Sequence, residues 1–268
     1  MIAKSRSYTS EISVIIDPEI VILSGFIFTP NTCMNLAESS DCSLKDQKKI
    51  PATLKLPFSL ESLLSITADK NKTVALTVAG YSYKDMLMSW VCRLRELSIE
   101  NFVVCALDQE TYQFSILQGI PFFTDPIAPS NISFYDCHFG TKCFQRVTKV
   151  KSRIVLKILK LGYNILLSDV DVYWFRNPVP LLHSYGPAVL VTQSDEYQKQ
   201  GAINVPRRLN FGLYYAHSDT ETIAAIEKVV RHAETSGLSE QPISTTHYAG
   251  KEAPTVSETT NVWSLKQT

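Results

Sequence analysis

The chain has 268 residues, 45% of them hydrophobic, which is enough for one substantial α/β core, and its 26 Lys plus Arg balance 26 Asp plus Glu. That balance excludes a global field favouring nucleic acid or an anionic membrane surface, so an anionic ligand must be held locally. The six cysteines, Cys33, Cys42, Cys92, Cys105, Cys137 and Cys143, match no zinc-finger or zinc-ribbon spacing and are too few for a disulfide-stapled miniprotein.

Residues 1–72 have weak periodicity, with a polar stretch from Glu38 to Lys49 followed by Pro51 and Pro57, and read as a stem or linker with little core of its own. The longest apolar run there, Ile20 to Phe28, is about half the roughly 18 residues that a membrane span needs. No apolar run follows Lys4 and Arg6 as a secretory leader requires. From Thr73 the pattern tightens. Val74, Leu76 and Val78 alternate as a strand ending at Ala79-Gly80, and Tyr83, Met86, Leu87, Trp90, Val91, Leu94 and Leu97 follow at helical spacing. Phe102 to Leu107 is a buried-type strand closing on Asp108, and Gln109 to Gln118 a short helix. Strand, helix, strand, helix predicts a parallel sheet that binds ligands at the carboxyl ends of its strands.

A second helix-strand unit begins near Thr148, where Val150, Ile154, Val155, Ile158 and Leu161 form an apolar face that Gly162 terminates. Ile165 to Leu167 is the next strand, Ala188 to Thr192 and Asn210 to Ala216 two more, and Ser218-Asp219-Thr220-Glu221 has the form of a capping box that opens a helix. Residues 243–268 lose periodicity and are expected to be a divergent, disordered tail. Cys92 and Cys105 read as buried thiols, whereas Cys137 and Cys143 flank a short polar loop that a disulfide can close. The sequons Asn71-Lys72-Thr73 and Asn131-Ile132-Ser133 are compatible with a lumenal protein.

The strongest chemical signal is Ser168-Asp169-Val170-Asp171, two carboxylates one residue apart at the end of a buried strand. Such a pair repels unless something positive lies between, and a hard divalent cation, Mn²⁺ or Mg²⁺, meets that need while keeping positions open for a diphosphate. The competing reading is a solvated turn in which Asp169 caps the backbone and Asp171 faces water. Arg153 and Lys157, one helical turn apart with Lys149 and Lys151 nearby, read either as a solvated helix face or as a positive complement to a diphosphate. The five histidines show no metal-ligand spacing, and no G-x-G-x-x-G follows the first strand, which argues against a dinucleotide enzyme.

The run from Ile158 to Pro178, centred on Leu166-Leu167-Ser168-Asp169-Val170-Asp171-Val172-Tyr173-Trp174, resembles the nucleotide-diphosphosugar transferase domain of glycosyltransferase family 77. Phe139 to Val150 and Pro206-Arg207-Arg208-Leu209-Asn210 are most similar to its plant β-arabinofuranosyltransferase branch. The resemblance covers residues 73–242 and implies a GT-A-like, Rossmann-type, mostly parallel α/β sheet flanked by helices. It also implies retaining transfer of arabinofuranose from a UDP donor to a cell-wall polysaccharide or glycoprotein in the Golgi lumen, with a membrane anchor absent from this chain.

Carried over residue by residue, the resemblance makes Asp169 and Asp171 the metal ligands and Asp108, Asp169, Asp171, Arg153, Asn210 and Gly212 the nucleotide-sugar site. The competing reading of Asp108 is a helix N-cap. Asp195, Glu240 and Gln241 match positions facing the donor sugar and acceptor, with Glu240 the candidate for stabilising an oxocarbenium-like centre; an inert loop carboxylate is the competing reading. Phe211 stands where the family has a small residue, and is expected to narrow the pocket. Family members continue after Pro242 into a segment that supplies a further metal ligand. The chain therefore reads as C-terminally truncated, a poor catalyst as written, or an inactive sugar-nucleotide-binding or scaffold protein.

Overall fold

The computed structural model describes residues 13–15, 59–126, 141–187, 189–194, 209–236 and 262–264. Their strands are β1 (Ser13–Ile15), β2 (Thr73–Ala79), β3 (Phe102–Ala106), β4 (Phe122–Thr124), β5 (Asn164–Ser168), β6 (Val189–Ser194), β7 (Leu209–Ala216) and β8 (Val262–Ser264). The helices are α1 (Leu60–Thr67), α2 (Lys84–Glu96), α3 (Gln109–Leu117), α4 (Lys142–Lys160), α5 (Val179–Leu182) and α6 (Thr220–Thr235).

One eight-stranded sheet has the order β4-β3-β2-β5-β7-β6-β1-β8. Its β4-β3-β2-β5 half is parallel throughout, as the strand-helix alternation predicts. Beyond it, β7 runs antiparallel to both neighbours, β5 and β6. The central strand β2 is buried along its whole length, so it carries an almost unbroken apolar run.

Period-two alternation sends the sheet's side chains into two cores. Val74, Leu76, Val78, Ile165 and Leu167 meet α1, α4 and α6 on one face. Ala75, Ala79, Leu166 and Tyr215 meet α2, α5 and Trp174 on the other. Helix α4, the longest element, begins earlier than its apolar periodicity suggests, because Thr141 caps it by accepting from the Phe144 N–H at 3.2 Å. Gly162, at φ +85°, lets the chain leave that helix, as expected.

Three expectations need correction. Helix α1 buries Leu60, Leu63 and Leu64, so the segment before Thr73 packs into the core and is not simply a stem. Residues Val262–Ser264 pair antiparallel with β1, so the tail contributes a strand at the sheet's edge. Helix α6 is capped by Asp219, which accepts from the Thr222 N–H at 2.8 Å, whereas Ser218 Oγ donates to the Leu159 carbonyl. Asp219 is the residue placed to reach the first turn, and Ser218 is spent on bracing α4.

Candidate functional site

Because β2, β3, β4 and β5 are parallel, their carboxyl ends share one edge. Three aspartates follow three of these strands there: Asp108 after β3, Asp125 after β4 and Asp169 after β5. The edge location expected for Asp108 and Asp169 is thus observed.

The Asp169 side chain, 31% exposed, is in contact with the ammonium of Lys151, whose side chain is only 13% exposed. Lys151 projects from α4 towards the carboxyl edge. Among the α4 cations it is this residue, and not Arg153, that reaches the carboxylate pair. Asp169 also donates its backbone N–H to the Gly212 carbonyl at 2.7 Å and accepts from the Val172 N–H at 3.2 Å, which fixes the turn carrying Asp171.

Asp171 keeps an exposed edge. Even so, the protein crowding it, and then the like charge of Asp169, push its carboxyl pKa upward, while a backbone hydrogen bond and Lys151 pull the other way. A cation between the carboxylates would relieve that repulsion.

The opposite wall comes from β7. A register shift between Thr192 and Gln193 leaves residues 211–213 of β7 without partners on β6, as a bulge, since Thr192 pairs with Tyr214 and Gln193 with Asn210. The bulge is held by Asn210, whose side-chain oxygen accepts from the Gly212 N–H at 2.7 Å. It presses Gly212 against the site. A Cβ added there would meet Asn210 Oδ1 at 3.0 Å and Asp169 Oδ2 at 3.2 Å. Phe211 does not narrow the pocket as expected: it is buried at 4% exposure, its ring centroid 4.8 Å from that of Tyr214 in the α4 and α6 core.

Beneath the carboxylates lies a hub that the sequence reading missed. Ser168 Oγ, fully buried, accepts both the Trp90 and the Trp174 indole N–H at 3.0 Å and donates to the Asp169 carbonyl at 3.1 Å. Arg93 extends the brace by donating to the Trp174 carbonyl at 2.6 Å and to the Phe175 carbonyl at 3.0 Å. The only sequence signal was Ser168 and Trp174 flanking the Asp pair; Trp90, 78 positions from Ser168, comes from α2.

Asp108 caps α3. One oxygen accepts from the Thr111 N–H at 2.7 Å, and the other from the Tyr81 N–H at 2.9 Å, so it ties the loop after β2 to α3. Arg153, its side chain 31% exposed, is not at the carboxylate pair: it clamps buried Asp125 through Nη2 at 2.8 Å and Nε at 3.2 Å. Asp195, Glu240 and Gln241 lie outside the described residues. Cys92 is disulfide-bonded, contrary to the free thiol expected, and so is Cys143. Their partners are outside the described residues, among which Cys105 is the free thiol.

Among the described residues, no group of three or more His, Cys, Asp or Glu could hold a metal. The carboxylate pair still offers hard oxygen donors to a divalent cation, with room for other ligands on its exposed side. None of the described helices is long and apolar enough to cross a membrane.

Sequence comparison adds an independent line. The nucleotide-diphospho-sugar transferase family profile matches residues 97–257, extending past the boundary expected at Pro242. The chain is 70% identical over 216 residues to the β-arabinofuranosyltransferase RAY1 of Arabidopsis thaliana, covering 79% of this chain and 40% of that protein. It is 28% identical over 150 residues to the arabinosyltransferase XEG113 of the same plant, covering 54% of this chain and 23% of that one. It is also 28% identical over 160 residues to an Arabidopsis UDP-D-xylose:L-fucose α-1,3-D-xylosyltransferase, covering 59% of this chain and 39% of that one. The chain thus spans well under half the length of each of these relatives.

Proposed function

The chain belongs to the nucleotide-diphospho-sugar transferase family, and from that premise we propose that it moves arabinofuranose from a UDP donor to a cell-wall polysaccharide or glycoprotein. The observation that carries this reading is the Asp169 and Asp171 pair at the carboxyl edge of four parallel strands, with Lys151 against Asp169. Similarity to an arabinofuranosyltransferase supports the choice of sugar.

Asp169 and Asp171 would hold Mn²⁺ or Mg²⁺, which supplies Lewis-acid stabilisation of the departing diphosphate. The chain's own residues do the positioning. The Ser168 hub and the β7 bulge fix Asp169 from below and from the side, so little reorganisation is needed when charge develops. Lys151 pairs with Asp169 in the free protein, and its ammonium would be the cation available to a diphosphate bound there. The missing side chain at Gly212 leaves Asp169 Oδ2 room to face a ligand. Asp108 and Arg153 shape the neighbouring strand ends, by capping α3 and by clamping Asp125. The disulfide bonds at Cys92 and Cys143 support an oxidising compartment, and we place the protein in the Golgi lumen.

The test is donor-dependent transfer from UDP-arabinofuranose to an arabinan or arabinogalactan acceptor, with release of UDP as a second readout. Asp169→Asn should lower both by about a hundredfold or more, the scale on which loss of an electrostatic stabiliser acts. Undiminished transfer by Asp169→Asn refutes the site. Metal-dependent UDP binding without transfer from any UDP-pentose would instead favour a sugar-nucleotide-binding or scaffold role. That alternative draws its support from the count of only two carboxylates at the described site.

A further inference from the structure

We infer that Asn71 carries an N-linked glycan, a modification that rests on the lumenal reading above. The sequon Asn71-Lys72-Thr73 lies in the turn that leads into β2. Asn71 and Lys72 are exposed, and Lys72 takes a left-handed φ of +57°; their carbonyls accept from Asn164 at the start of β5, so the turn lies at the sheet's edge with its side chains open to solvent. Asp69 Oδ1 makes that turn rigid by accepting from the Asn71 N–H at 2.9 Å and the Thr73 N–H at 2.8 Å.

The side-chain chemistry tolerates the modification. Asn71 Nδ2 is 2.8 Å from His183 Nδ1, and as Nδ2 can only donate, that ring nitrogen is the acceptor. His183 Nε2 therefore bears the proton and donates to Thr73 Oγ1 at 2.8 Å. Glycosylation consumes one of the two hydrogens on Asn71 Nδ2, so one remains for His183. The donor is a lipid diphosphate-linked oligosaccharide. Its C1–O bond to the diphosphate breaks, a C1–Nδ2 bond forms, the amide proton passes to a base, and the lipid diphosphate leaves.

Thr73 is fully buried in the folded chain, which sets an order of events. Transfer has to precede the pairing of β2 with β5, and the exposed Asn71 then leaves the glycan in solvent after folding. The sugar would sit at the amino edge of the sheet. Strand β2 has seven residues, which places the glycan about 20 Å from the carboxyl edge at the strand rise of roughly 3.3 Å per residue. It would increase solubility without covering Asp169.

The test is to route the full chain through the secretory pathway of a eukaryotic host and to map peptides after enzymatic deglycosylation in heavy-oxygen water. The expected result is an Asn71 peptide converted to labelled Asp, and one fewer glycan on an electrophoretic ladder for Asn71→Gln. Thr73→Ser, which keeps the hydroxyl, should retain the glycan. Reading Cys92 and Cys143 in the same digest separates the two ways of failing. An unmodified Asn71 in chains whose cysteines are disulfide-linked overturns the glycan while leaving the lumenal reading intact. An unmodified Asn71 with both cysteines free overturns the glycan and the lumenal reading together.

Discussion

Replacing Ser168 with alanine removes the acceptor for two buried indoles at once. Ser168 Oγ has two acceptor lone pairs and one donor hydrogen, and all three are used, at 3.0, 3.0 and 3.1 Å. Trp90 and Trp174 are only 2% and 3% exposed, so water cannot replace the lost partner without entering the core. A buried donor left unpaired costs about 1–3 kcal/mol, and two cost about 2–6 kcal/mol. In urea denaturation, with a slope of about 2 kcal/mol per M, the midpoint of Ser168→Ala should fall by about 1–3 M. A double-mutant cycle assigns the cause. In a Trp90→Phe background one orphan is already gone, so the penalty of Ser168→Ala should drop by about half. A loss below about 0.5 kcal/mol, or the same penalty in both backgrounds, would show that the hub is not what braces the turn, since uncoupled sites simply add.

Gly212→Ala should keep the fold but weaken metal-dependent UDP binding by about tenfold, or about 1.4 kcal/mol, because its Cβ presses on Asp169 Oδ2; unchanged affinity would show that the bulge does not shape the site. Lys151→Met should act in opposite directions, tightening Mn²⁺ binding in the absence of nucleotide by freeing Asp169 and weakening UDP binding in the presence of metal. Two changes of the same sign, read by calorimetry, would contradict the role given to Lys151. Burial pushes the Cys105 thiol from its ordinary 9.0 up to about 12, so native protein at pH 8 should resist a thiol reagent at this residue until it unfolds. The sign follows from the raised folded value: the thiol's contribution to stability is full below about pH 9 and is lost as pH rises towards about 12. Labelling of Cys105 in the native protein at pH 8 would refute its burial.

The parallel half of the sheet could be read from sequence because each of its longer strands is a short apolar run closed by Gly or Asp, with a helix between. The antiparallel half could not be assigned a direction, since alternation along β6 and β7 fixes which face a side chain takes and says nothing of strand polarity or partner. The bulge that brings Gly212 to Asp169 depends on cross-strand register and has no local signature beyond Asn210 and Gly212 themselves. Phe211 was misassigned for the same reason. Helix α1 was overlooked because it is short, and its three buried leucines occur in a segment that is otherwise polar and proline-marked.

The Asp169 and Asp171 pair was recognisable from spacing and strand-end position. Its environment was not, for a physical reason: α4 carries lysines and arginines on several faces, and docking on the sheet decides which reaches the carboxylates. Docking gave that place to Lys151 and turned Arg153 to Asp125. Similarly, Asp108 suited both a nucleotide ligand and a cap, and only the fold shows that its two oxygens hold Thr111 and Tyr81.

The most direct measurement is calorimetric titration of UDP into the chain with and without Mn²⁺, for the unaltered protein and for Asp169→Asn and Asp171→Asn. If the carboxylate pair holds the metal that receives the diphosphate, the unaltered chain binds UDP far more tightly with Mn²⁺, and each substitution removes that dependence while circular dichroism shows the fold retained. Equal UDP affinity with and without the metal, or metal dependence that persists in both variants, would contradict the account.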